Sequence, residues 1–232
     1  MGANESRRHH FVPRFLLRGW LLNDSKGHSA LNGYYWDERK DGIACKQRGL
    51  DSFCNQIDLL TLKSHRLGRD AIERIFFGEI DDKGAKAMRL MLAKGPEALS
   101  GEERCDFARL VLSQEARRPA FVSKLRNDGT RELRDSLDND PEINSEFSRN
   151  GISSRPSEHY ESNTGVKLED RSLLTIQALV DNREVGLALI NSHWHIVRLG
   201  SGDGSFVLSD RPLIRIFGFN HPKATWVLPL TP

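Results

Sequence analysis

The rhythm of apolar and polar positions divides the chain into a short-strand beginning, a helical middle and a strand-rich end. Near the N-terminus, Leu16 and Trp20 stand one helical turn apart with Leu17 beside them, enough for an apolar face on a short helix. Pro13 suits the first position of that helix, where no N–H is needed and φ is already fixed. Asn23 to Gly33 reads as a loop. Gly33-Tyr34-Tyr35-Trp36-Asp37 is aromatic and strand-like, Glu38 to Gly42 supplies a turn, and Ile43 to Gln47 returns as the partner strand. Asp51 to Leu62 follows neither period.

A helix is predicted from about Leu67 to Lys94, with Ile72, Ile75, Phe76 and Leu90 on one face and Glu79 projecting from its middle. Lys83, one turn on, offers Glu79 an ordinary surface pairing instead. Gly95-Pro96 ends the helix, and Ser100-Gly101-Glu102-Glu103 is a capping box for the next. That helix carries Phe107, Leu110, Val111 and Phe121 on a stripe shared with Gln114 and adjoined by Arg117 and Arg118, until Pro119 ends or kinks it. Arg126 to about Asp170 is dominated by polar residues and reads as a partly helical start, then a mobile excursion. Leu173 to Ile190 returns to a helical period. His193 to Leu199 and Ser205 to Asp210 then alternate like strands around a Gly-rich turn, with further short strands at Leu213–Phe217 and Thr225–Leu230. This order predicts one α+β domain over 1–232, its helical middle packed with N- and C-terminal antiparallel strands and its flexible insertion at about 126–170.

Composition narrows the function classes. The 232 residues carry a net charge of +2, so any attraction to nucleic acid must come from a local patch. No apolar run approaches a membrane span, and Arg7, Arg8, His9 and His10 replace the apolar core of a signal peptide. Three cysteines, Cys45, Cys54 and Cys105, fit neither CxxC nor a disulfide framework, which fits a reducing cytoplasm.

The densest chemistry is His9-His10-Phe11-Val12-Pro13-Arg14-Phe15-Leu16-Leu17-Arg18. Pro13 biases the preceding residue toward an extended backbone. In a strand, adjacent side chains point to opposite faces, so one histidine faces a site and the other solvent or core. Arg14 and Arg18 share one side of the helix that follows.

These pieces resemble the bacterial family catalogued as domain of unknown function 4238. The opening is similar to its His-His-aromatic-Val-Pro signature, and Glu73 and Glu79 to its next acidic helix. Gln114, Arg117 and Pro119 match its Gln-x-x-Arg-x-Pro element. Ser209-Asp210-Arg211-Pro212 resembles its Ser-Asp-x-Pro element, and Pro229-Leu230-Thr231-Pro232 its Pro-Leu-x-Pro element. Family members continue past that last element, so the chain is expected to be a short or truncated member.

The matched polar set defines an expected site. His9, His10, Glu79 and Asp210 are candidate ligands for a divalent metal such as Mg, Mn or Zn. His10, Glu79, Arg117 and Asp210 are the candidate catalytic groups. Arg14, Arg18, Gln114 and Ser209 would hold a phosphate-containing substrate. The corresponding expectation is a metal-dependent hydrolase acting on a phosphodiester or nucleic acid. The competing expectation is a non-catalytic module that binds nucleic acid or protein through the Arg- and aromatic-rich N-terminus. Ser209-Asp210 lacks the GxSxG elbow, and a plain turn into Arg211-Pro212 accounts for it equally well.

Overall fold

The computed structural model describes residues 7–23, 28–64, 66, 68–218 and 221–232. Helices form the middle of the chain and small antiparallel sheets its N- and C-terminal parts, the α+β arrangement expected. Strand β1 (Arg8–His10) pairs with β5 (Asn55–Ile57), which places His9 opposite Gln56 and His10 opposite Asn55. Helix α1 (Arg14–Arg18) follows with Pro13 at its N-cap, and it buries Leu16 and Leu17. Strands β2 (Leu22–Asn23), β3 (Ser29–Asp37) and β4 (Gly42–Arg48) form the expected hairpin plus one short strand, with Tyr35 opposite Ala44. Of the loop expected at 23–33, residues 24–27 lie outside the described residues and Ser29 onward is already strand.

The first long helix opens with a π-helical stretch, Ile72–Phe77, that runs directly into α2 (Gly78–Lys94). Ser100 and Glu103 make the predicted capping box of α3 (Gly101–Ala116), Ser100 N–H donating to Glu103 at 2.8 Å and Glu103 N–H to the Ser100 hydroxyl at 3.2 Å. Helices α2 and α3 pack closely at Gly84, where a Cβ would stand 2.7 Å from Leu110 Cβ. Leu110 is fully buried and cannot withdraw. Gly84→Ala is therefore expected to destabilise the fold by roughly 1–3 kcal/mol, against the gain in helix propensity. A thermal melt checks this; an unchanged or higher melting temperature would mean that the two helices separate freely.

Pro119 does end the helix: α4 (Pro119–Lys124) restarts with Pro119 at its first position and Arg118 as N-cap. The polar stretch expected as a mobile excursion carries α5 (Thr130–Asp138), α6 (Pro141–Arg149) and α7 (Pro156–Thr164). Pro141 and Pro156 begin their helices rather than interrupt them, and the Asp140 carboxylate caps α6. The helix predicted across 173–190 is two, α8 (Leu168–Val180) and α9 (Arg183–Ile190), divided where Asn182 accepts the Val185 N–H at 3.0 Å.

The strands predicted at 193–199 and 205–210 do not form. Side chains there are tied to helices instead. Trp194 Nε1 donates to Leu189 O at 2.9 Å while its ring packs on Phe107 and under Arg104, and Arg198 donates to Leu92 O at 2.6 Å. The last two predicted strands are present as β6 (Ile214–Ile216) paired with β7 (Thr225–Val227). Among the described residues no helix is long and apolar enough to cross a membrane.

One core runs from Val12 and Leu16 through Leu59, Leu60 and Leu62 to α2, α3 and α8. The irregular stretch 59–64 is fixed by side chains from distant helices. Buried Asp170 accepts the Lys63 and Ser64 N–H groups at 2.8 and 2.6 Å, and Arg126 donates to Leu59 O and Thr61 O at 3.1 and 2.7 Å. That stretch supports the first of the two histidines.

Candidate functional site

The short β1–β5 ribbon holds His9 and His10 in extended backbone, and their imidazoles make separate contacts, as strand alternation requires. His9 is fully buried, and its Nδ1 accepts the Leu60 N–H at 2.8 Å. Accepting that bond requires an unprotonated Nδ1, so His9 is a neutral staple between β1 and the 59–64 stretch. His10 is also buried, but its Nε2 makes no hydrogen bond; the Asp51 carboxylate lies 3.7 Å away. Burial lowers the His10 pKa below its ordinary 6.5, and the positive charges of Arg14 and Arg8 act in the same direction against Asp51.

The backbone N–H of His10 donates to Glu73 Oε1 at 3.2 Å. Glu73 sits in the π-helical stretch, where the extra residue per turn shifts the phase of the helix. From there the inward face continues through Phe77, Ile80, Gly84 and Ala87 to Met91, all buried. The other oxygen, Oε2, is enclosed without a hydrogen-bond partner. Burial pushes the Glu73 carboxyl up to about 7, against the opposing pull of Arg117 and the His10 N–H.

Arg117 reaches this cluster from the end of α3 and is 1% exposed. Its Nη1 and Nη2 donate to the two Asp81 oxygens at 3.1 and 2.7 Å, and Nη2 also donates to the Ser113 hydroxyl at 2.9 Å. The guanidinium lies 4.2 Å from the Phe77 ring centre. Its Nε has no hydrogen-bond partner, and neither has Oε1 of buried Gln114, whose amide nitrogen donates to Leu110 O at 3.0 Å. Four buried polar atoms from three elements thus lack partners: His10 Nε2, Glu73 Oε2, Gln114 Oε1 and Arg117 Nε. Natively folded chains rarely leave such groups unsatisfied, and a concentration of them marks a place for a ligand or ordered water.

Glu79 is a correction. It is exposed on the outer side of α2 and pairs with Lys83 at 2.8 Å, the ordinary i, i+4 pairing; the π-helical phase shift turned Glu73 inward in its place. Ser209 and Asp210 are exposed and make a local turn, the Ser209 hydroxyl donating to Asp210 at 3.1 Å and accepting the Arg211 N–H at 3.0 Å. Asp210 still lies near β5: its charge, after burial, helps push the Cys54 thiol up to about 11. Arg14 is exposed and pairs with Asp51 at 3.0 Å, and Arg18 is exposed at the end of α1. The expected metal set of His9, His10, Glu79 and Asp210 does not converge. Among the described residues no three His, Cys, Asp or Glu side chains are grouped to hold a metal ion.

The family model described as Protein of unknown function (DUF4238) matches residues 8–232, nearly the whole chain, beginning just before His9 and His10. The chain belongs to DUF4238. No curated protein and no solved structure matches it. Within this DUF4238 chain, Asp81 and Ser113 are the partners that sequence reasoning missed. A buried arginine beside a helix-ending proline signals that some carboxylate must meet it, but not which one.

Proposed function

We propose that this chain is a hydrolase of phosphodiesters, nucleic acid among them, in which His10 and Glu73 move the protons and Arg117 positions them. One observation supports this reading: His10 Nε2 and Glu73 Oε2 are buried without hydrogen-bond partners, and their protonation ranges overlap usefully. His10 titrates below its ordinary 6.5 and Glu73 at about 7. Between those values His10 is mainly a neutral base while Glu73 is mainly a protonated acid, the pairing that acid–base hydrolysis needs near neutral pH.

In the proposed step, His10 Nε2 takes a proton from water as its oxygen bonds to phosphorus. Glu73 gives its proton to the leaving oxygen as the second P–O bond breaks. Arg117 stays on Asp81 and sets the field at Glu73. Arg14 and Arg8, whose positive charges act on His10, would supply the attraction for the phosphate. A divalent metal would find two protein donors here, His10 Nε2 and Glu73 Oε2, so Mg, Mn and Zn enter the test as additions.

The test is cleavage of labelled single- and double-stranded DNA and RNA and of bis(4-nitrophenyl) phosphate, with EDTA or each metal. Glu79→Ala serves as control. His10→Gln or Glu73→Gln is expected to lose about 100-fold or more of the rate, within the usual worth of general acid–base groups. The wild-type rate should peak between the two titrations. Binding without cleavage, or cleavage that survives both substitutions, overturns the reading in favour of a binding module.

A further inference from the structure

Helices α5 and α6 bury none of their residues, and α7 buries only Pro156 and Ser157 at its start. What the three helices and their connections enclose is a cavity of about 530 Å³, within the range of small-molecule sites. Asp138 fixes its frame: one carboxylate oxygen accepts the Ser157 N–H at 2.8 Å and the other the Ser157 hydroxyl at 3.0 Å. Two further charges line the cavity, Asp135 from α5 and Arg155 from the residue before α7. Both are exposed, and among the described residues neither side chain meets an ion-pairing or hydrogen-bonding partner, each other included. Two amides are oriented by the backbone. Asn139 Nδ2 donates to Asp135 O at 2.8 Å and Asn144 Nδ2 to Asp138 O at 2.9 Å, which leaves each Oδ1 as an acceptor. Ser153 and Ser154 bring hydroxyls beside Arg155 in the chain, and Phe147 and Ile152 add half-buried apolar surface.

We propose that this cavity binds a free α-amino acid with an apolar side chain. The two uncommitted charges select a zwitterion, since an anion alone would be repelled by Asp135 and a cation alone by Arg155. An ammonium group carries three donors, and Asp135 with the Oδ1 atoms of Asn139 and Asn144 offers as many acceptor groups. A carboxylate takes a guanidinium through two parallel N–H···O bonds, with the Ser153 and Ser154 hydroxyls as further donors on the same lining. Because Asp135 and Arg155 do not pair with each other, the ligand breaks no ion pair on entering. The side chain of the ligand is left with Phe147 and Ile152. A charged side chain would find no counter-charge, since the remaining carboxylate, Asp138, is committed to Ser157. None of these residues belongs to the cluster around His10, Glu73 and Arg117, so the site stands whether or not the chain hydrolyses phosphodiesters.

The test is isothermal titration calorimetry of the full chain with L-leucine and L-phenylalanine, alongside N-acetyl-L-leucine, L-leucinamide and inorganic phosphate. Both free amino acids should bind. Removing one pole of the ligand by acetylation or amidation should weaken binding about tenfold or more, the worth of a hydrogen bond to a charged group. Removing the matching partner by Asp135→Asn or Arg155→Gln should do the same. Both residues are exposed and their side chains hold nothing in place, so the melting temperature without ligand should not change. The blocked ligands put the same question to the unaltered chain. Arg149→Gln, exposed on α6 and outside the cavity, should bind as the wild type does. The proposal is overturned if neither amino acid binds at millimolar concentration. It is also overturned if a blocked leucine binds as tightly as the free one, if both substitutions leave affinity unchanged, or if phosphate binds in its place through Arg155 alone.

Discussion

Replacing Arg117 with methionine is expected to remove roughly 3–5 kcal/mol of stability, the usual consequence of breaking a buried ion pair from one side. Arg117 is 1% exposed and bonds both Asp81 oxygens, at 2.7 and 3.1 Å. Methionine fills much of the volume and keeps contact with Phe77, so the loss falls mainly on Asp81. Its carboxylate would be left inside with no cation, and the Ser113 hydroxyl would lose a donor. The Asp81 side chain retains 25% exposure, which places the expected loss toward the lower end of that range. Arg117 also holds the Glu73 carboxyl down, so the same substitution should raise its titration above the wild-type value of about 7. Urea unfolding of Arg117→Met, Asp81→Leu and the double variant checks the pair: the double variant should be distinctly more stable than the two single losses added together. A loss of about 1 kcal/mol or less for Arg117→Met, the worth of an exposed ion pair, would show that this contact does not hold α2 to α3.

What was legible in the sequence was what local rules fix. Ser100 and Glu103 sit at capping-box spacing, Pro119 cannot continue a helix, and an aromatic run followed by an Asp-Gly turn makes a hairpin; each appears as read. Pro141 and Pro156 obeyed a local rule as well, but at helix starts, where low apolar content had concealed the helices. The alternation from His193 to Leu199 misled because period two shows only that a strand could form. Trp194 and Arg198 found helical partners, and no ladder was available to compete. Strand β5 is three polar or exposed residues whose only reason to be extended is its partner β1, 45 residues and more away.

The site followed the same division. Alternation of His9 and His10 was legible because it depends on adjacent residues alone. The choice between Glu73 and Glu79 was not, since it turns on one π-helical stretch that no propensity announces. Counting at 3.6 residues per turn from Ile72 puts Ile75 and Phe76 inward; the structure leaves Ile75 44% exposed and buries Phe77. The same displacement carries Glu79 out to Lys83 and brings Glu73 under β1. A π-helical stretch changes which residues of a helix face inward, a shift that a count at 3.6 residues per turn does not register.

Glu73→Gln is expected to make the protein more stable above neutral pH while abolishing the proposed hydrolysis. The ordinary carboxyl titrates at 4.5, and in the fold Glu73 titrates at about 7. Between those values the folded chain retains a proton that the unfolded chain has released, so stability falls as pH rises. The full penalty is present above about 7 and absent below 4.5. A displacement of that size corresponds to about 3 kcal/mol. Glutamine keeps a carbonyl oxygen for the His10 N–H and carries no charge to desolvate, so the penalty disappears. Urea unfolding of wild type and variant across this range should therefore give curves that coincide at low pH and diverge as pH rises, with the variant more stable. Parallel curves would mean that Glu73 titrates normally and that the acid–base pairing with His10 is absent. If the variant proves more stable but equally active, burial strains the carboxyl without chemical use. If it is more stable and inactive, the enclosed, uncompensated carboxyl is retained at the expense of stability because the reaction needs its proton.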